Sequence, residues 1–202
     1  MSSRQRLDQC LADLGLAPSR ARARDAILRG TVSVDGTVIT KPGQLVASTQ
    51  KITLADPAQN YVSRAALKLL AALEAFPVDP AGKTCLDVGA STGGFTQVLL
   101  ERGAARVHAI DVGHGQLHER IASNSKVNRR DGLNARDLTL ADLEGEAPQL
   151  IVSDVSFISL KLALPPALEL AAPGAEAILL VKPQFEVGRQ GIGKGGLVQP
   201  DL

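Results

Sequence analysis

From residue 84 onward, short apolar runs alternate with helical periodicities, and the first run ends in a glycine-rich loop. Thr84-Cys85-Leu86-Asp87-Val88 has the character of a strand buried on both faces. Gly89-Ala90-Ser91-Thr92-Gly93-Gly94-Phe95 follows it and opens a helix over residues 94–102. Further strands are predicted over 106–110, weakly around Val127, over 150–153 and over 178–181. Helices are predicted over 62–75, 117–121 and 159–172. Strands alternating with helices call for a parallel sheet covered by helices, an α/β Rossmann-like architecture. Glycines at such a loop let the backbone turn tightly and meet a ligand closely, with helix N-terminal amides facing it. The spacing D-x-G-x-x-x-G-G is not the dinucleotide pattern G-x-G-x-x-G, so a dehydrogenase is disfavoured.

The first sixty residues differ. The 202-residue chain has 22 basic and 21 acidic side chains, a net charge of +1 that argues against a nucleic-acid partner at first sight. Up to Asn60, however, eight Lys/Arg face five Asp, a net +3. The remainder carries 14 basic and 16 acidic residues, a net −2. The grammar changes at Ala55-Asp56-Pro57-Ala58-Gln59-Asn60-Tyr61, which predicts domains over 1–58 and 59–202. In the head, Leu7, Leu11 and Leu14 have helical spacing and Gly15 suits a stop. Ser19 is a good N-cap for a second helix ending near Arg29 and Gly30. Val32-Ser33-Val34 and Thr37-Val38-Ile39 flank Asp35-Gly36, a strong hairpin signal, and residues 51–54 offer a third strand. The head reads as two helices on a small sheet, an α+β unit.

Other classes fall away. The N-terminus has no apolar signal region. The most apolar stretch, 162–181, holds three prolines and two glutamates and makes no clean membrane span. Cys10 and Cys85 have no metal-type spacing and read as free thiols of a cytoplasmic protein. His108, His114 and His118 lack nearby Cys, so no metal is expected. Lys194 among glycines lacks G-K-[ST] and reads as a substrate-facing loop, not a P-loop.

Two charged residues close apolar runs: Asp154 after the fourth strand and Lys182 after the fifth, at strand ends that form the ligand crevice of open α/β sheets. With Ser63-Arg64-Ala65-Ala66-Leu67-Lys68-Leu69, the glycine loop, Ser153-Asp154-Val155-Ser156-Phe157-Ile158-Ser159-Leu160 and Val181-Lys182-Pro183-Gln184-Phe185-Glu186, the chain resembles the TlyA-type ribosomal RNA 2′-O-methyltransferases. Their catalytic domain is of the FtsJ (RrmJ) type. The head, through Arg6-Leu7-Asp8, Ser19-Arg20 and residues 30–36, is similar to an S4 RNA-binding domain.

The resemblance implies a Rossmann-like S-adenosylmethionine-dependent methyltransferase with a small N-terminal S4-like domain, acting as a monomer on ribosomal RNA or ribosomal subunits, with cytidine as the target. It implies cofactor contacts at Asp87, Gly89, Ala90, Ser91, Thr92, Gly93, Gly94 and Phe95. Asp111, with Val112, would take the ribose hydroxyls, and Asp131 and Leu133 would lie near the adenine. By motif position, Lys68, Asp154 and Lys182 match the first three members of a Lys-Asp-Lys-Glu catalytic set. The fourth, a Glu, has no match; Glu186 is too near Lys182. The chain also stops before the last strands of such a fold, so a longer natural chain is expected. Arg4, Arg6, Ser19, Arg20, Arg24 and Lys41 are the expected RNA contacts; Asp35 is not. Two other readings stay open: a membrane-active haemolysin, a label common in the family, and a non-catalytic RNA-binding or ribosome-assembly factor.

Overall fold

The computed structural model describes residues 4–198, and the chain divides after Asn60 into two compact units. In the first, strand β1 (Arg4–Arg6) leads into helix α1 (Leu7–Asp13), followed by α2 (Arg20–Leu28), β2 (Val32–Val34), β3 (Thr37–Val38), β4 (Leu45–Ala47) and β5 (Ile52–Leu54). The Ser19 hydroxyl accepts from Arg22 N and caps α2. Asp35 and Gly36 both have positive φ, 50° and 80°, as a tight hairpin turn between β2 and β3 requires. Leu7, Leu11, Ala23, Ile27, Val32 and Val46 pack into one apolar core.

The expected single sheet is instead two: β3-β2-β5 and an antiparallel β1-β4 pair. Sequence reasoning missed β1 and β4. Arg4-Gln5-Arg6 carries no apolar alternation, and this pairing is made by backbone across a long chain separation.

The second unit comprises α3 (Ala66–Ala75), β6 (Thr84–Val88), α4 (Gly94–Glu101), β7 (Arg106–Asp111), α5 (Glu119–Ala122), β8 (Val127–Asp131), β9 (Leu150–Ser153), α6 (Leu160–Ala163), α7 (Pro165–Glu169), β10 (Glu176–Leu179) and α8 (Pro183–Glu186). All five strands run parallel in the order β10-β9-β6-β7-β8. Consecutive strands lie side by side except at β6, where the chain returns from the far edge to place β9 on the other flank. That reversal between β6 and β9 is the topological switch point. One side of the sheet buries Leu69, Phe95, Val98 and Leu99 with Cys85 and Val107; the other buries Leu138, Leu143 and Leu164 against Leu86, Val88 and Ile151.

Two expectations need correction. The helix predicted over 159–172 is two short helices, because Pro165 has no N–H and its ring would clash with the preceding turn. The last strand is Glu176–Leu179, not 178–181, so Lys182 stands three residues past the strand. It is extended, with φ −111° and ψ 97°, as a residue before proline is, and α8 starts at Pro183. No helix among the described residues is long and apolar enough to cross a membrane, and no cluster of three or more metal-ligating side chains occurs among them.

Candidate active site

The carboxyl ends of β6 and β9 sit side by side, with Val88 paired to Ser153. The next residues are therefore Gly89 on one strand and Asp154 on the other, at the mouth of the switch-point crevice. A cavity of about 710 Å³ opens there, a size that suits a small-molecule cofactor.

Its floor is the glycine loop. Gly89 has φ +81°, and a Cβ there would lie 2.8 Å from Val155. Gly93 has φ +93°, and a Cβ would lie 2.7 Å from Leu117. Gly94 serves a different approach: a Cβ would stand 3.0 Å from Ala66 N and from the Ser63 side chain. The start of α3 thus rests directly on the start of α4. The Gln97 side chain reinforces this by accepting a 2.9 Å bond from Val62 N. This packing brings Lys68 to the cavity.

Asp111, at the end of β7, accepts 2.8 Å from Ser91 N through Oδ2 and 2.7 Å from Gly113 N through Oδ1. Each carboxylate oxygen keeps a second acceptor site for a diol. Asp87 is 1 % exposed, and the Thr96 hydroxyl donates to it at 2.7 Å. Burial pushes its carboxyl up to about 7, with Asp111 and Asp154 adding to the rise and Thr96 opposing it.

At the other side of the cavity, Asp154 bridges two lysines. Lys68 Nζ donates to Oδ2 at 2.8 Å, and Lys182 Nζ lies 2.9 Å from Oδ1. Lys182 also donates to the Asp154 carbonyl oxygen at 3.1 Å and to Ser156 Oγ at 2.6 Å. Two ammonium groups around one carboxylate leave a net positive charge at the cavity wall, suited to an oxygen that gains negative charge. Next to it Phe157, with φ +67°, is 91 % exposed and tilts against Phe185 at 5.4 Å.

The cavity lining includes Lys68, Asp154 and Lys182 together with Asp87, Gly89, Ala90, Ser91, Thr92, Gly94, Phe95, Asp111, Val112 and Leu133. Gly93 and Asp131 do not line it. Gly93 packs beneath the loop, and Asp131 holds the neighbouring turn by accepting 2.8 Å from Gly115 N while pairing with Arg129. Sequence reasoning missed Gln116, Asn134 and Ser156, which do line the cavity. They sit in turns with no periodic signal; only the closeness of Ser156 to Asp154 pointed there. Glu186 latches α6: it accepts from Ser159 Oγ at 2.6 Å and from Leu160 N at 2.9 Å, which holds its carboxyl below the usual range.

Among the histidines, His108 is fully buried against Asn128, and His118 caps α5. Lys194 lies in a short 3-10 turn, Lys194–Gly196, outside the cavity lining.

In the head, Arg4, Arg24 and Lys41 are exposed. Arg6 and Arg20 converge on buried Asp8, at 2.9 and 3.2 Å. Hydrogen bonding from Arg6 first, then from Arg20, brings the Asp8 carboxyl down to about 2. Both guanidinium groups remain about half exposed. The Ser19 hydroxyl is occupied by its capping bond.

Residues 61–200 match the family model for FtsJ-like methyltransferases. The chain belongs to that family. Residues 5–52 match the S4 domain. The FtsJ-like chain is 47 % identical over 199 residues to the 16S/23S rRNA (cytidine-2′-O)-methyltransferase TlyA of Mycobacterium tuberculosis, covering 98 % of this chain and 74 % of that one. It is 39 % identical to Hemolysin A of Brachyspira hyodysenteriae, covering 98 % and 82 %. A Streptococcus thermophilus structure described as a hemolysin superposes with a TM-score of 0.71 at 36 % identity, over 98 % of this chain and 73 % of that one. The chain is thus a methyltransferase with an S4 domain at its N-terminus.

Proposed function

We propose that the protein transfers a methyl group from S-adenosylmethionine to a ribose 2′-hydroxyl of ribosomal RNA, with cytidine as the target nucleoside. The bridge Lys68–Asp154–Lys182 at the lip of the glycine-loop cavity is the observation that carries this reading. The M. tuberculosis relative named for cytidine-2′-O chemistry supports the substrate.

The cavity fits the cofactor: its backbone cradle leaves no room for side chains at Gly89, and Asp111 has acceptor capacity left for two ribose hydroxyls. Val112 and Leu133 supply apolar walls for an adenine. When bound, S-adenosylmethionine supplies an already activated methyl group, so the protein must align the attacking oxygen and stabilise its charge. Lys182 donates to the Asp154 carbonyl oxygen and to Ser156 Oγ, which leaves one of its three donors for the reacting hydroxyl beside it. It stabilises the oxygen as the hydroxyl's proton passes to solvent water. Asp154 holds Lys182 in place, and Lys68 helps position the ribose. Exposed Phe157 offers a stacking face for a base drawn out of its helix. The head, through Arg4, Arg6, Arg20, Arg24 and Lys41, holds RNA phosphates in the cytoplasm. A division after Asn60, two residues beyond the limit of 58 read from the sequence, goes with this division of labour.

Incubation with ribosomal subunits and methyl-labelled cofactor tests the reading. The label appears in alkali-resistant, 2′-O-methylated nucleotides. Lys182→Ala lowers turnover by roughly 10²-fold or more, in the range for loss of one charge-stabilising donor, while cofactor affinity is kept. Label in a base, or equal loss of binding and turnover, contradicts it.

A further inference from the structure

Among the described residues Lys182 Nζ has two well-directed hydrogen bonds, and one of them goes to a residue outside the Lys-Asp-Lys-Glu set. The bonds run to the Asp154 carbonyl oxygen at 3.1 Å and to Ser156 Oγ at 2.6 Å. Asp154 Oδ1, although 2.9 Å from the same nitrogen, is buried and accepts no directed hydrogen bond. The amine therefore pairs with the carboxylate by charge, while its directed hydrogen bonds go to a backbone oxygen and a serine hydroxyl. Among the described residues the Ser156 hydroxyl bonds to Lys182 alone, and Ser156 is exposed on the cavity rim. Its hydroxyl caps no helix and ties down no turn.

We infer that Ser156 is a positioning residue for methyl transfer: its hydroxyl fixes the rotation of the Lys182 ammonium beside Asp154, so that its donors are not all turned onto that residue. The inference rests on the reading of Lys182 as the group beside the reacting hydroxyl. Physically, two of the three oxygens around Nζ belong to Asp154, a rigid partner fixed on its other side by Lys68. Removing the third frees that donor to turn onto Oδ1, which already pairs with the amine and has an open acceptor site. An amine turned onto that oxygen points a donor away from the substrate. The hydroxyl is also the only one of the three partners able to donate as well as accept. It can follow Lys182 through a change in the hydrogen-bond pattern when a ribose hydroxyl arrives, which the two Asp154 oxygens cannot.

The test compares Ser156→Ala, Ser156→Thr and Ser156→Cys in the full-length protein, by steady-state methyl transfer to ribosomal subunits and by cofactor binding. Ser156→Ala is expected to lower kcat by roughly 10- to 100-fold, the loss of one hydrogen bond to a charged group, with KM for the subunit and cofactor affinity within about twofold. Ser156→Thr keeps the hydroxyl and restores most of the rate. Ser156→Cys, a weak acceptor of similar size, stays low. Wild-type kcat in Ser156→Ala overturns the proposal, as does an equal loss in Ser156→Thr or a fall in cofactor affinity that matches the fall in kcat. Lys182→Ala run alongside separates the two claims. An active Lys182→Ala defeats the catalytic reading itself; an inactive one beside a fully active Ser156→Ala defeats only the role of Ser156.

Discussion

Asp87 shows how one side chain can be costly and still belong where it stands. It lies in the central strand, fully buried, and accepts from the Thr96 hydroxyl. Burial raises its carboxyl to about 7, against an ordinary value of 3.8. Between about pH 4 and 7 the native state therefore holds a proton that the unfolded chain releases, so this residue's contribution to stability falls as pH rises through that window. Asp87→Asn removes the titration and can keep the Thr96 bond. We expect the variant to melt above the wild type at pH 8 and the two to converge toward pH 4. A constant difference across that range in thermal melts counts against the assignment. Asp8 runs the other way: its carboxyl is held at about 2 by the arginines, so its contribution is present above pH 4 and is lost as pH falls toward 2.

The short elements around the cavity matter more for where they end than for their length. Loop 89–93 must combine two left-handed glycines with a sharp entry into α4, and Gly93 does so with Leu117 pressed against the place of a Cβ. Gly93→Ala should cost about 1–3 kcal/mol, the range for a strained backbone position, and show as a lower Tm with unchanged secondary-structure content. A Tm within a degree of the wild type contradicts the packing described. At this scale the sequence was informative where periodicity is strong. The strand–loop–helix at Thr84 to Glu101, the Asp35-Gly36 hairpin and the Ser19 cap are all legible in the sequence. It was poor where one local signal competes with another. The apolar pattern over 159–172 concealed a proline break, and β1 and β4 pair without any apolar alternation of their own. For the site, the charged residues at strand ends stood out, since an Asp or Lys closing an apolar run is conspicuous. Ser156, Gln116 and Asn134 did not, because which way a turn residue faces is set by tertiary packing.

Over the whole molecule, the near-neutral charge conceals a division between a basic head and a mildly acidic body. If the head carries the phosphate contacts, affinity for ribosomal RNA falls steeply with salt, and each phosphate-contacting cation removed lowers the slope of log K against log salt by about 0.7–0.9. The triple variant Arg4→Ala, Arg24→Ala, Lys41→Ala should flatten that slope by about 2 with little change in cofactor affinity, as read by filter binding over a salt series. An unchanged slope places the RNA contacts elsewhere. Arg6 and Arg20 are poorer choices for this test, because each also neutralises buried Asp8. Ribose methylation is the activity on which these roles depend. It is tested by mapping 2′-O-methyl groups on ribosomal RNA from cells with the gene, without it, and complemented with Lys182→Ala. A methylated cytidine is expected that disappears without the gene and is not restored by the variant. An identical methylation map in all three strains contradicts it.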